Sequence, residues 1–304
     1  MSGEIVLCAL DGSNPLAFLA ALGTLRLVHL SRPDARVRMC WQPSEGFWRP
    51  KLVGLDIDED GLCSLLMRAP WAPAESFVRI GKNLTVPSKE FKPFVDEAYE
   101  TARCDERRVA DFAAAFGCEV CEDQKKGEIK RTDFCFITGS GHQDFLGTMS
   151  ALAKHVTVAH LRDALFGEWR AEKGLSMRWD PSDAAEYALR WGNPSSEGAW
   201  GVWGANRLAV EALPFFPTIP VEDGLETTGF KRHKREPEFT WPVWSHVAGF
   251  DTVRSLVSLS ELQKDPPNRD VLRAMGIEEV HRAQRARIGQ GANFKVSFQP
   301  ARAV

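Results

Sequence analysis

The sequence predicts an α+β fold, with helices and short, mainly antiparallel strands in two closely packed lobes. Three observations lead there. Composition is that of a globular protein, 44% hydrophobic and 26% charged, with enough apolar material for a core. Strand-like runs and capped helices are interspersed, with no internal repeat. The 304 residues reach the length at which single cores stop growing, roughly 250–300 residues. The division expected is a lobe over residues 1–130 and a second over 131–304 that holds the basic segments.

Glu4 to Leu10 reads as a short buried strand. Asp11-Gly12-Ser13-Asn14-Pro15 follows as a turn that also starts a helix, because Asn14 suits an N-cap and Pro15 the first helical position. That helix runs to Leu30 with apolar residues at almost every position, so burial on most sides is expected. Val37–Trp41 and Phe47–Val53 form a hairpin, and a short helix spans Gly61 to Arg68. Residues 70–87 are loop-rich. Helices are expected over 88–104 and 105–116, then an exposed loop from Cys118 to Arg131. Phe134–Ile137 is a strand candidate, followed by helices over 144–155, 158–169 and 206–213. Residues 174–203 stay unassigned. Strands at Phe230 and at Phe239–Trp244 flank a basic run. Helices are expected over 251–262, 269–275 and 277–287, and Phe294–Phe298 alternates as a terminal strand.

No stretch approaches the ~20 apolar residues that span a bilayer. The N-terminal apolar segment also lacks the flanks of a signal peptide. A cytoplasmic protein with no membrane partner is expected. Seven scattered cysteines suit a reducing compartment, with Cys8, Cys40, Cys63 and Cys135 as small core residues.

Four patterns carry possible chemistry. The first is charge: residues 1–230 hold 25 Lys/Arg against 33 Asp/Glu, whereas residues 231–304 hold 13 against 8. The sign changes at Lys231-Arg232-His233-Lys234-Arg235. On the expected helix, Arg282 and Arg285 share a face. With Arg287 and Lys295 they offer donors to phosphates and base edges, although a solvated charged surface has the same composition. The second is Thr138-Gly139-Ser140-Gly141-His142-Gln143, a glycine turn before a helix. It can cradle a phosphate with His142 and Gln143 assisting, or simply turn the chain. The third is Cys118-x-x-Cys121, which suits redox chemistry, half a zinc site with Cys104 and Cys135, or neither. The fourth is the cluster Trp179, Trp191, Trp200 and Trp203, suited to core packing or to base stacking. Asp180-Pro181-Ser182-Asp183 reads as a turn or cap. The sequence carries no recognisable catalytic motif, and neither a metal nor another cofactor is expected.

Several segments taken together carry a likeness. They are Asn14-Pro15-Leu16-Ala17 with Ala20-Ala21-Leu22-Gly23, the Thr138–Gln143 turn, Asp180-Pro181, Tyr187-Ala188-Leu189-Arg190-Trp191 and Gly204-Ala205-Asn206-Arg207-Leu208-Ala209. Thr227-Thr228-Gly229-Phe230, Thr240-Trp241-Pro242 and Asp251-Thr252-Val253-Arg254-Ser255-Leu256 follow. Their order resembles the large-subunit-like component of the type I-G (formerly I-U) CRISPR effector, over most of the chain. The resemblance implies a non-enzymatic role in RNA-guided DNA targeting. That role comprises recognition of the protospacer-adjacent motif, duplex opening and contact with the nuclease-helicase. The implied partners are target DNA, guide RNA and the backbone subunits. It makes Asn206 and Arg207 candidate polar contacts, where a helix cap is the alternative. At 304 residues the chain is short for a large subunit, so an accessory or scaffold role without DNA contact is the competing expectation.

Overall fold

The computed structural model describes residues 3–103, 106–136, 144–182, 199–222, 224–233, 236–290 and 293–304, and the fold is α+β. Strand β1 (Glu4–Val6) leads through the Asp11–Asn14 turn into helix α1 (Pro15–Ser31). The Asn14 side-chain oxygen accepts from the amides of Leu16 and Ala17 at 2.8 and 3.2 Å, which satisfies donors that a helix start leaves unpaired. Every residue from Pro15 to Val28 is buried.

Strands β2 (Arg38–Ser44) and β3 (Phe47–Val53) form the expected hairpin. Helices α2 (Glu59–Met67), α3 (Ala74–Phe77), α4 (Ser88–Ala102) and α5 (Arg108–Phe116) follow. The loop expected from Cys118 to Arg131 is instead a hairpin of β4 (Gly117–Asp123) and β5 (Glu128–Arg131). Its charged composition hid Ile129, which is buried and packs inward. Residues 134–136 are buried but not a strand.

Helices α6 (Phe145–His155) and α7 (Val158–Phe166) come next, then the strands β6 (Glu172–Lys173) and β7 (Trp200–Gly201) and helix α8 (Trp203–Val210). Strands β8 (Thr218–Val221) and β9 (Gly224–Thr227) form a further hairpin. Strands β10 (Phe230–His233) and β11 (Glu236–Trp244), the short β12 (Ala248–Gly249), helix α9 (Phe250–Val257) and helix α10 (Arg269–Ala274) follow. The chain ends with β13 (Ile277–Gln290), β14 (Asn293–Phe298) and β15 (Arg302–Ala303).

Two sheets organise the described residues. One has the antiparallel order β1-β3-β2-β12; the other runs β10-β11-β13-β14, with β15 also on β13. One hydrophobic cluster extends from Ile5 to Phe298 and contains both. Helix α1 packs against α8 so closely that a Cβ on Gly23 would lie 1.8 Å from the Leu208 carbonyl oxygen; only glycine permits that approach. The indole of Trp241 donates to the Gly12 carbonyl at 2.8 Å, and that of Trp244 to the Met39 carbonyl at 3.1 Å. Both bonds cross residue 130 and join the two expected lobes through this core. Among the described residues no helix is long and apolar enough to cross a membrane.

Candidate nucleic-acid interface

The segment expected to be a helix over 277–287 is the central strand of the second sheet. β11 runs along one side of it, from Trp244 opposite Ile277 to Glu238 opposite Gln284. β14 runs along the other, from Phe298 opposite Arg285 to Asn293 opposite Gln290. Ala, Arg, Gln and Glu favour helices locally, but β11 and β14 each need a partner for their backbone hydrogen bonds, and tertiary pairing overrides the propensity.

This correction redistributes the charges. Residues three apart share a helix face but point to opposite sides of a strand. Arg282 and Arg285 are therefore separated by the sheet. The pairing Lys231↔Glu238, Glu238↔Gln284 and Ile288↔Lys295 puts Lys231 and Lys295 on the Arg282 side, and Arg287 falls on the Arg285 side. The cations do not form one shared face.

Three of the expected contacts turn inward. Arg282 is 1% exposed; it donates to the Leu262 carbonyl at 3.0 Å and lies 3.3 Å from the Asp265 carboxylate. Arg285 pairs with Asp133 at 3.4 Å, donates to the Cys135 carbonyl and lies over the Phe136 ring. Burial pulls the Arg285 guanidinium below its usual pKa, and Asp133 opposes that shift. Arg207, 2% exposed, is bonded to Glu211 at 3.0 Å and stacked 4.1 Å from the centre of the Trp71 ring. Asn206 is also buried. Its side chain accepts from the Met177 amide at 2.8 Å and donates to the Val202 carbonyl at 2.9 Å, so it joins two segments of the interior.

The remaining cations lie toward one end of the second sheet. Arg287 is exposed, with its guanidinium 4.6 Å from the centre of the Phe294 ring. Lys231 and Lys295 are half-buried. Arg232 pairs with Pro237 in the β10–β11 ladder. Lys234 and Arg235 lie outside the described residues, as does the whole Thr138–Gln143 turn with His142 and Gln143. Two more positions of the β11–β13 register beyond Glu238↔Gln284 would set Glu236 beside Ala286. The β10–β11 and β13–β14 hairpins thus point the same way, with Lys231, Arg287 and Lys295 in their strands and Arg282 further back along β13.

Sequence reasoning missed the buried network around Glu211. Its two carboxylate oxygens receive Arg26 at 2.7 Å, Arg207 at 3.0 Å and the Ala72 amide at 2.7 Å. Arg26 in an apolar helix was the available signal, since a buried charge requires a partner. Burial lowers the pKa of Arg26 and Arg207 while Glu211 holds them charged. Trp179 is in the core, donating to the Phe134 carbonyl at 3.1 Å, and Trp191 lies outside the described residues. Asp180 caps a turn, accepting from the Ser182 amide at 3.0 Å. Cys40, Cys63 and Cys135 are buried as expected, whereas Cys8 is exposed. Among the described residues no group of three or more His, Cys, Asp or Glu is placed to hold a metal.

No protein-family model matches the chain, and no curated protein matches it.

Proposed function

We propose that this chain is a non-enzymatic subunit of a type I-G CRISPR interference complex that contacts target DNA through the hairpin end of its second sheet. It takes part there in protospacer-adjacent motif recognition and duplex opening, and it recruits the nuclease-helicase. The motif order described above supports the system. The observation that carries the DNA contact is the register that brings Lys231, Arg287 and Lys295 toward one end of a sheet in a chain that is otherwise acidic. Arg287 on Phe294 combines a cation with an aromatic plane, a pairing suited to a phosphate beside an unstacked base. Sequence specificity beyond a short motif comes from the guide RNA, so few base-edge contacts are required of the protein.

A scaffold that binds only the protein subunits is the second reading. It is favoured by the inward use of Arg207, Arg282 and Arg285. A salt titration of target-DNA binding by the assembled complex separates the two. Counterion release makes the slope of log affinity against log salt scale with the number of phosphates neutralised. Replacing Lys231, Arg287 and Lys295 with Glu is expected to weaken binding and to reduce that slope by about 1 for each phosphate no longer neutralised. Unchanged affinity and slope in a fully assembled complex would favour the scaffold.

A further inference from the structure

The Cys118-x-x-Cys121 pair sits where β4 departs most from its partner strand. Gly117 pairs with Arg131 and Glu122 with Ile129, so the four residues from Cys118 to Cys121 oppose one residue, Lys130. Five steps of extended strand would cover about 17 Å, whereas the two steps of the partner cover about 7 Å. The chain must buckle outward between these anchors. Cysteines three apart would lie about 10 Å from each other in a flat strand. Here the buckle shortens that span, with Cys118 and Cys121 at the two ends of the four residues that oppose Lys130.

The buckle is held at its shoulders. A Cβ on Gly117 would lie 2.8 Å from the Lys130 carbonyl oxygen, so glycine lets the two strands close beneath it. The Ser88 hydroxyl donates to the Glu119 carbonyl, and the Cys121 thiol donates to the Gly224 carbonyl at 3.4 Å. Val120, between the cysteines, is 75% exposed. Both thiols are free and half-buried.

We infer that Cys118 and Cys121 form a reversible dithiol–disulfide site whose co-reactant is a low-molecular-weight disulfide. One cysteine thiolate attacks a sulfur of the small disulfide, forming a mixed disulfide and expelling the first small thiolate. The second cysteine thiolate then attacks the protein-bound sulfur, closing the Cys118–Cys121 bond and expelling the second. Two protein thiols are oxidised, and two electrons and two protons pass to the pair of small thiols. The thiolate is the attacking species. Burial, with Glu119 and Cys121 adding to it, raises the Cys118 pKa, so closure quickens as pH rises. The interior cysteines are poor competitors, and burial pushes Cys63 to about 11.

The test equilibrates the full chain with glutathione mixtures of increasing oxidised fraction, quenches with acid, denatures, alkylates and maps peptides by mass. The expected result is a peptide spanning 118–121 that loses both alkyl groups and two hydrogens, while Cys40, Cys63 and Cys135 stay alkylated. Cys118→Ser and Cys121→Ser are each expected to stop at a glutathione adduct on the remaining cysteine. Three wild-type results overturn the inference: both cysteines alkylated throughout the series, a persistent glutathione adduct without closure, or a disulfide from either residue to another cysteine. Since those readouts come from the wild-type chain, a variant that fails to fold does not rescue the idea.

Discussion

Glu211 holds two guanidinium groups at a position with no solvent exposure. Removing one member of such a network leaves an uncompensated charge in the interior, which costs about 3–5 kcal/mol. Glu211→Gln is therefore expected to lower stability by that amount in urea denaturation. The exposed pair Arg107–Asp111, 2.9 Å apart with Arg107 74% exposed, is screened by solvent. Arg107→Ala is expected to cost under about 1 kcal/mol. Equal losses for the two variants would contradict the assignment of the network to the core. His281 makes a pH-dependent contribution. Burial lowers its pKa, with Glu279 opposing, so the folded state binds fewer protons than the unfolded state as pH falls below the unfolded value of about 6.5. Its favourable contribution is complete above that value and is lost as pH falls toward the folded pKa. His281→Gln is expected to flatten the decline of the urea midpoint between neutral and mildly acidic pH. A variant that declines as steeply as wild type would remove His281 from that role.

At the scale of one element, β13 divides its arginines between support and display. Arg282→Ala removes charged hydrogen bonds at a buried site and is expected to cost about 2 kcal/mol, lowering the thermal midpoint. Arg287→Glu, on the exposed part of the same strand, is expected to leave that midpoint unchanged. A shared loss of stability would mean that Arg287 also braces the fold. The element shows why some of the structure was legible in the sequence and some was not. Helix α1 was readable because Asn14-Pro15 starts it and its apolar run is continuous. The β2–β3 hairpin was readable from Pro43 to Gly46 between apolar strands. β13 was not, since it is buried on both faces in its middle and shows no alternation, while its residues favour helices. The candidate site inherited that error, because a helix placed Arg282 and Arg285 together and the strand parts them. The inward burial of Asn206 left no local trace, as its partner Met177 comes from elsewhere in the fold, whereas Glu211 four residues after Arg207 was a local sign of an i,i+4 pair.

Across the whole molecule, the ion pair Arg26–Glu211 and the indole bonds Trp241–Gly12 and Trp244–Met39 tie distant parts of the chain into one core. Heating is expected to produce one cooperative transition in calorimetry. Fragments 1–130 and 131–304, made separately, are expected to lack the fixed near-ultraviolet tryptophan signal of the intact chain. Two independent transitions, or a fragment with native-like signal, would argue for autonomous lobes.

The pairing of Ala248–Gly249 with Arg38–Met39 also bears on synthesis. The first sheet cannot acquire its edge until about 200 further residues have been translated, a delay of roughly 10–40 s at ordinary ribosome speeds. Throughout that interval the nascent chain displays the greasy Pro15–Val28 helix without its final cover. Chaperone capture during translation would protect it, and premature termination before residue 249 would release a product prone to clump.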